Sequence, residues 1–258
     1  MEDAAMSSDQ CKETIGKQAK VKQSKDGKIT ESQAIQANTV PAASQLTSRF
    51  VTFDRGQSGL KVLIAGNSIT RHGPKPEIGW TADWGMAASA PEKDYVHILM
   101  RQIRTRDPGA EFCIAQMAGW EREYWLGEAV LAQYQAAADF AADLIILRLV
   151  ENVPRDQLDE HPFAPAYAAL LDFLDPQHRA QVILTTSFWP AGGRDEAIRQ
   201  VAEQRGHMLV ELGSLGVQDE MKAIGLFEHA GVAAHPGDAG MAAIARAIMT
   251  AVITAVRL

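Results

Sequence analysis

Five short, almost unbroken apolar runs constrain this chain more than any other feature: Lys61–Ala65, Phe112–Met117, Leu144–Val150, Gln181–Thr186 and His207–Leu212. None alternates polar with apolar residues, so each suits a strand of a parallel sheet, covered on both faces. Longer stretches of helical period separate them. Glu92–Arg104 places Tyr95, Leu99 and Ile103 on one face behind Pro91, and Arg122–Ala141, Pro165–Leu174, Arg194–Arg205 and Asp238–Val256 follow. Strands alternating with helices imply right-handed crossovers, hence the α/β class: a three-layer α/β/α sandwich around a central parallel sheet of about five strands. In such folds ligands sit beyond the carboxyl ends of the strands, which directs attention to the residues after each run.

Composition changes near Arg49. Residues 1–48 are dominated by Lys, Gln, Ser, Thr, Glu and Asp and have no sustained period. A segment of that kind buries too little surface to offset its ordering entropy, so a flexible arm is expected, with residues 49–258 forming one domain. The formal net charge of −7 argues against a nucleic-acid partner. Cys11 lies in the polar arm and Cys113 inside an apolar run, so no disulfide is expected between them. No apolar leader follows Met1, and the stretch from Met241 to Val256, interrupted by Arg246, reads as a packed helix short of a membrane span. The expectation is a cytoplasmic protein with no membrane partner. A homo-oligomer stays open.

Four strand ends carry groups suited to chemistry. The first run leads into Gly66-Asn67-Ser68-Ile69-Thr70, which puts the Ser68 hydroxyl on a strand-to-helix turn with its own N–H facing the same space. Alone, Ser68 reads first as a helix cap. A single glycine excludes the dinucleotide fingerprint and the phosphate loop, so no cofactor is expected, and Thr70 stands where a G-x-S-x-G elbow would have its second glycine. After the second run comes Gly119, whose backbone can approach a ligand; after the third comes Asn152, whose side-chain amide can donate. Near the C-terminus His235 precedes Pro236-Gly237 and an apolar helix, a rigid setting for a general base. His229 and His235 lack the spacing of a zinc motif, and no metal is expected.

Taken in chain order, Ser68, Gly119, Asn152 and His235 resemble the SGNH hydrolase superfamily, the GDSL-type esterases and lipases. Gly66-Asn67-Ser68 looks like the G-D-S block with Asn67 in place of Asp, and His235 in His-Pro-Gly-Asp-Ala-Gly-Met looks like the histidine of the last block. The resemblance runs from about Lys61 onward and implies a flavodoxin-like fold. It also implies acyl transfer, with Ser68 as nucleophile, His235 as base, and the oxyanion held by Ser68, Gly119 and Asn152. Two departures stand out. Val232 occupies the place of the family's acid, three residues before the histidine, and Val150-Glu151 precede Asn152 where a glycine is usual.

A backbone carbonyl, Glu228 or Asp238 could take over from the missing acid. Asp238 suits a helix cap better, which leaves Glu228 as the candidate acid. The long connection from Arg71 to Ala90 carries Trp80 and Trp84, and Trp120 and Trp189 follow strands. These indoles either wall a substrate pocket, as sugar-binding faces do, or pack the loop onto the domain. The expected partner is a small-molecule ester, with a small acyl group (acetyl above all) on a carbohydrate. A catalytically inactive domain that binds a sugar or acyl ligand is the alternative.

Overall fold

Each apolar run does become a strand, and a sixth strand joins them. The computed structural model describes residues 50–256; the polar arm expected over 1–48 lies outside the described residues. In chain order the sheet and its covering helices are β1 (Val51–Asp54), β2 (Lys61–Gly66), α1 (Tyr95–Arg106), β3 (Glu111–Gln116), α2 (Ala118–Glu123), α3 (Glu128–Leu131), α4 (Gln135–Asp139) and β4 (Leu144–Arg148). The second half continues with α5 (Phe163–Leu174), β5 (Gln181–Thr185), α6 (Gly193–Arg205), β6 (Met208–Val210), α7 (Gly213–Gly216), α8 (Ala230–Ala233) and α9 (Asp238–Val256).

The strands lie in the order β1-β3-β2-β4-β5-β6, all parallel except β1, which runs antiparallel to β3 with Val51 opposite Ala115. The five expected strands form the parallel sheet, and the additional β1 makes the whole a mixed one. β1 escapes a search for buried runs because it is a four-residue edge strand with Phe53 exposed.

Alternation along each strand divides the core in two. Leu63, Ala65, Cys113, Ala115, Ile145 and Leu147 face α5, α6 and the segment between β3 and β4. Val62, Ile64, Phe112, Ile114 and Ile146 face α1 and α9. Both faces of β2 are therefore dry, which is why its sequence shows no polar alternation. The three-layer sandwich is present as expected.

Two helical stretches differ from the periodicity. Arg122–Ala141 is a chain of short helices (α2 to α4) joined by single 3-10 turns. Gly127 at φ 56° breaks it, in a backbone region that side-chain-bearing residues avoid, and Tyr124 and Tyr134 turn fully inward on either side. The helix expected from Glu92 starts at Tyr95, because the buried Asp94 caps it by accepting the His97 N–H at 2.8 Å. α9 is long and apolar enough to cross a membrane by length and composition alone, so the chain does not fall short in that respect. Its Met241, Ile244, Ile248 and Val252 instead pack into the core beside α1.

Register levels the site. Gly66 at the end of β2 pairs with Gln116 of β3 on one side and Arg148 of β4 on the other. The loops that follow these three strands consequently meet at one height.

Candidate active site

Ser68 sits on a tight turn directly after β2. The carbonyl of Asn67 accepts the N–H groups of Thr70 at 2.9 Å and Arg71 at 3.0 Å, folding the chain back over the strand end. Gly66 has to be glycine there: a Cβ would lie 1.8 Å from Thr70 Oγ1. The turn leaves the Ser68 hydroxyl partly exposed, and its oxygen lies 2.9 Å from Nε2 of His235. These two residues are 167 positions apart in sequence.

His235 follows α8 and is locked by its own neighbourhood. Its Nδ1 lies 2.7 Å from the carbonyl of Gly231, its backbone N–H donates to Val232, and Trp189 stands edge-on to the ring at 5.2 Å. A carbonyl can only accept, so Nδ1 carries the proton and Nε2 presents its lone pair to the Ser68 hydroxyl. Burial pushes the imidazole pKa down to about 4, against the opposing pull of the Gly231 carbonyl. The ring is neutral at pH 7 and free to accept a proton.

Among the described residues no carboxylate meets Nδ1. Val232 is fully buried among Trp80, Met86, Ala87 and Ala223, so the position three before the histidine belongs to an apolar cluster. Glu228, the candidate acid, is exposed and lines a separate cleft with Pro76, Glu77 and His229. Asp238, expected to cap α9, is its first residue and accepts from the Ser89 N–H at 2.9 Å and hydroxyl at 2.7 Å, pinning the long loop.

Gly119 lies in the first turn of α2, where backbone N–H groups have no intrahelical acceptor. Among the described residues neither its N–H nor that of Ser68 meets an acceptor. Asn152 lies at the same strand-end level, but its side chain is already engaged: Nδ2 donates to Glu121 Oε2, and Oδ1 accepts from Arg122 at 3.4 Å.

That contact belongs to a buried polar cluster beneath the serine turn, which the sequence reading missed. Asn67 donates to Glu121 Oε1 at 2.9 Å and to Glu151 Oε2, and it accepts from Arg148. Arg148 pairs with Glu151 at 2.6 Å, Glu121 accepts the Val150 N–H, and Glu151 accepts the Phe188 N–H at 3.0 Å. One guanidinium thus faces two carboxylates. Burial and the charge of Glu151 push the Glu121 carboxyl up, while Arg148 holds Glu151 below the usual range. The available signal was Arg148, a charge closing an otherwise apolar run.

The indoles divide. Trp120 is 1% exposed and packs with Tyr124, Phe163 and Tyr167, which corrects its assignment to a substrate wall. Trp80 is 3% exposed and donates to the His72 carbonyl, and Trp84 donates to the Ala88 carbonyl, so both fasten the loop. Trp189, half-buried against His235, is the one placed at the site. Beside the serine turn, Arg71, His72, Lys75, Asp83 and Gln116 line an open cleft of about 410 Å³, where Arg71 grips Asp83 through two bonds of 2.9 and 2.8 Å. Among the described residues no group of three or more His, Cys, Asp or Glu side chains is arranged to hold a metal.

Neither a family model nor a curated protein matches the chain. Among solved structures it is similar to an acetyl xylan esterase, at 16% identity over 75% of this chain and 100% of that one, with a TM-score of 0.50. It is also similar to a two-domain esterase active on acetylated mannans, at 18% identity over 81% of this chain and 56% of that one, TM-score 0.49. A third is a lipase/acylhydrolase from Enterococcus faecalis, at 17% identity over 75% and 95%, TM-score 0.44. The chain spans little more than half the length of the two-domain esterase. At such identities the likeness, resting on the first of the three, is one of fold.

Proposed function

We propose, from the premise that this chain has the SGNH-type hydrolase fold, that it is a serine esterase releasing small acyl groups, acetyl foremost, from a carbohydrate. The observation that carries this reading is the 2.9 Å contact between Ser68 Oγ and His235 Nε2, in a tautomer fixed by Gly231. In this reading His235 takes the Ser68 proton as the oxygen attacks the ester carbonyl. The protonated ring then returns that proton to the leaving alcohol, and water clears the acyl-enzyme by the same route. Ser68 N–H, Gly119 N–H and the Asn152 amide would hold the oxyanion.

The Gly231 carbonyl does half of what a triad acid does. It fixes the tautomer and orientation of the ring but brings only a dipole to the developing imidazolium. A working Ser–His dyad is the consequence. A polar cleft with His72, Lys75 and Gln116, joined to the serine turn through Arg71, suits a hydroxyl-rich carrier better than a long acyl chain. The acetyl xylan esterase activity named for one structural neighbour supports the same reading.

The test is labelling with a fluorophosphonate probe, with the adduct mapped by mass spectrometry and Ser68→Ala and His235→Ala as controls. Labelling at Ser68 that both changes abolish is the expected result, followed by turnover of acetylated sugars. A folded protein that takes no label would overturn the enzyme in favour of a domain that only binds its sugar or acyl ligand.

A further inference from the structure

Glu121 is buried, charged and absent from the proposed chemistry, yet from α2 it touches both of the other loops that build the site, those after β2 and β4. Its Oε1 accepts from Asn67 and from the Val150 N–H, and its Oε2 accepts from Asn152 Nδ2. Both oxygens therefore act as acceptors, which a carboxylate can do and an amide cannot. Asn152 has two ways to place its amide, with Oδ1 and Nδ2 exchanged. An acceptor at Glu121 Oε2 draws one Nδ2–H, and the Arg122 guanidinium at 3.4 Å draws Oδ1. The exchanged orientation would set carbonyl against carboxylate and –NH2 against guanidinium. Only one Nδ2–H is left uncommitted, and its direction is set by the other two contacts.

We infer that Glu121 is a positioning residue, which holds the Asn152 amide in the orientation that offers its free N–H to the oxyanion. The inference rests on the esterase reading above. A buried carboxylate that has no guanidinium of its own among the described residues is a costly choice for structure alone, since Arg148 is bound to Glu151 and Asn67. Glutamine would satisfy Asn67 and Val150 through its one oxygen at no cost in shape. Its –NH2 would then face Asn152 and turn that amide over. Acceptance at both oxygens is the property that glutamine lacks, and Asn152 is where the lack is felt.

The experiment is a double-mutant cycle with p-nitrophenyl acetate as the probe substrate. Glu121→Gln should lower kcat by about as much as Asn152→Ala, on the order of 100-fold, with KM within about threefold of wild type. In the Asn152→Ala background Glu121→Gln should cost less than about threefold, because the group it acts through is gone. A general structural role would instead multiply the two losses; that result, or near wild-type turnover by Glu121→Gln, overturns the inference. Should Glu121→Gln not fold, Glu121→Gln/Asn152→Asp reverses the direction of the hydrogen bond while keeping every partner. It must fold and yet turn over no faster than Asn152→Ala, and either failure refutes the assignment. Ser68→Ala is run in the same assay. If turnover survives Ser68→Ala, it is the esterase reading that fails, whatever the cycle shows.

Discussion

In the proposed mechanism His235 works as base with a backbone carbonyl, and no carboxylate among the described residues, behind its Nδ1. Buried against Trp189 and held by Gly231, its imidazole has a pKa of about 4 instead of the ordinary 6.5. The acid limb of kcat/KM attributable to this base should therefore fall near pH 4, and a pH profile with its inflection at 6.5 would contradict the buried setting. The same shift acts on stability. The unfolded chain takes up the proton first, so the contribution of a neutral His235 is complete above 6.5 and is lost as pH falls towards 4. Asn152 offers the second residue-scale expectation. Removing one oxyanion donor costs roughly 2.7–4 kcal/mol of barrier, so Asn152→Ala should slow kcat about 100- to 1000-fold with the melting curve little changed. Near wild-type turnover would remove Asn152 from the proposed mechanism.

At the scale of elements, the turn after β2 depends on a glycine. A Cβ at position 66 would meet Thr70 Oγ1 at 1.8 Å and the Arg148 carbonyl at 2.9 Å. Gly66→Ala should therefore destabilise by about 1–3 kcal/mol in a denaturant titration and disturb the serine turn as well. Asp94 works at the other end of the long loop, capping α1 and accepting the Gly85 N–H at 3.0 Å. Asp94→Ala should cost at least ~1 kcal/mol, and faster amide exchange around Gly85 would distinguish a released loop from a merely frayed helix.

The elements also show where a sequence is readable. Val62–Ala65 and Leu144–Leu147 announce themselves because both of their faces are dry, and Ser68 and His235 stand out because strand ends and helix entrances are few. β1 is silent, since four residues with an exposed Phe53 resemble any loop. Trp120 is ambiguous for another reason. Its position after a strand does not say which way it points, and only the aromatic neighbours brought by α5 draw it inward. Glu121 and Arg148 acquire meaning from register alone, when Gly66 pairs with Arg148 and the strand ends come level. Spacing along the chain carries none of that.

For the molecule as a whole, the central sheet is clamped between two cores, and α9 closes one of them. Ile244 and Ile248 are fully buried on its inner face. Ile248→Ala should cost about 2–5 kcal/mol, measured from the midpoint of denaturation; a cost below 1 kcal/mol would mean the helix is only lightly docked. The proposed nucleophile and its base touch at 2.9 Å although they are 167 positions apart in the chain. A ribosome delivers Ser68 long before His235, and the sheet, the loop with Trp189 and α8 must all be in place before the two can touch. On the proposed mechanism a half-made chain therefore carries only an ordinary, unreactive serine. Probe labelling at Ser68 then becomes a clock for refolding, starting only when the last strand-end loop has found its place.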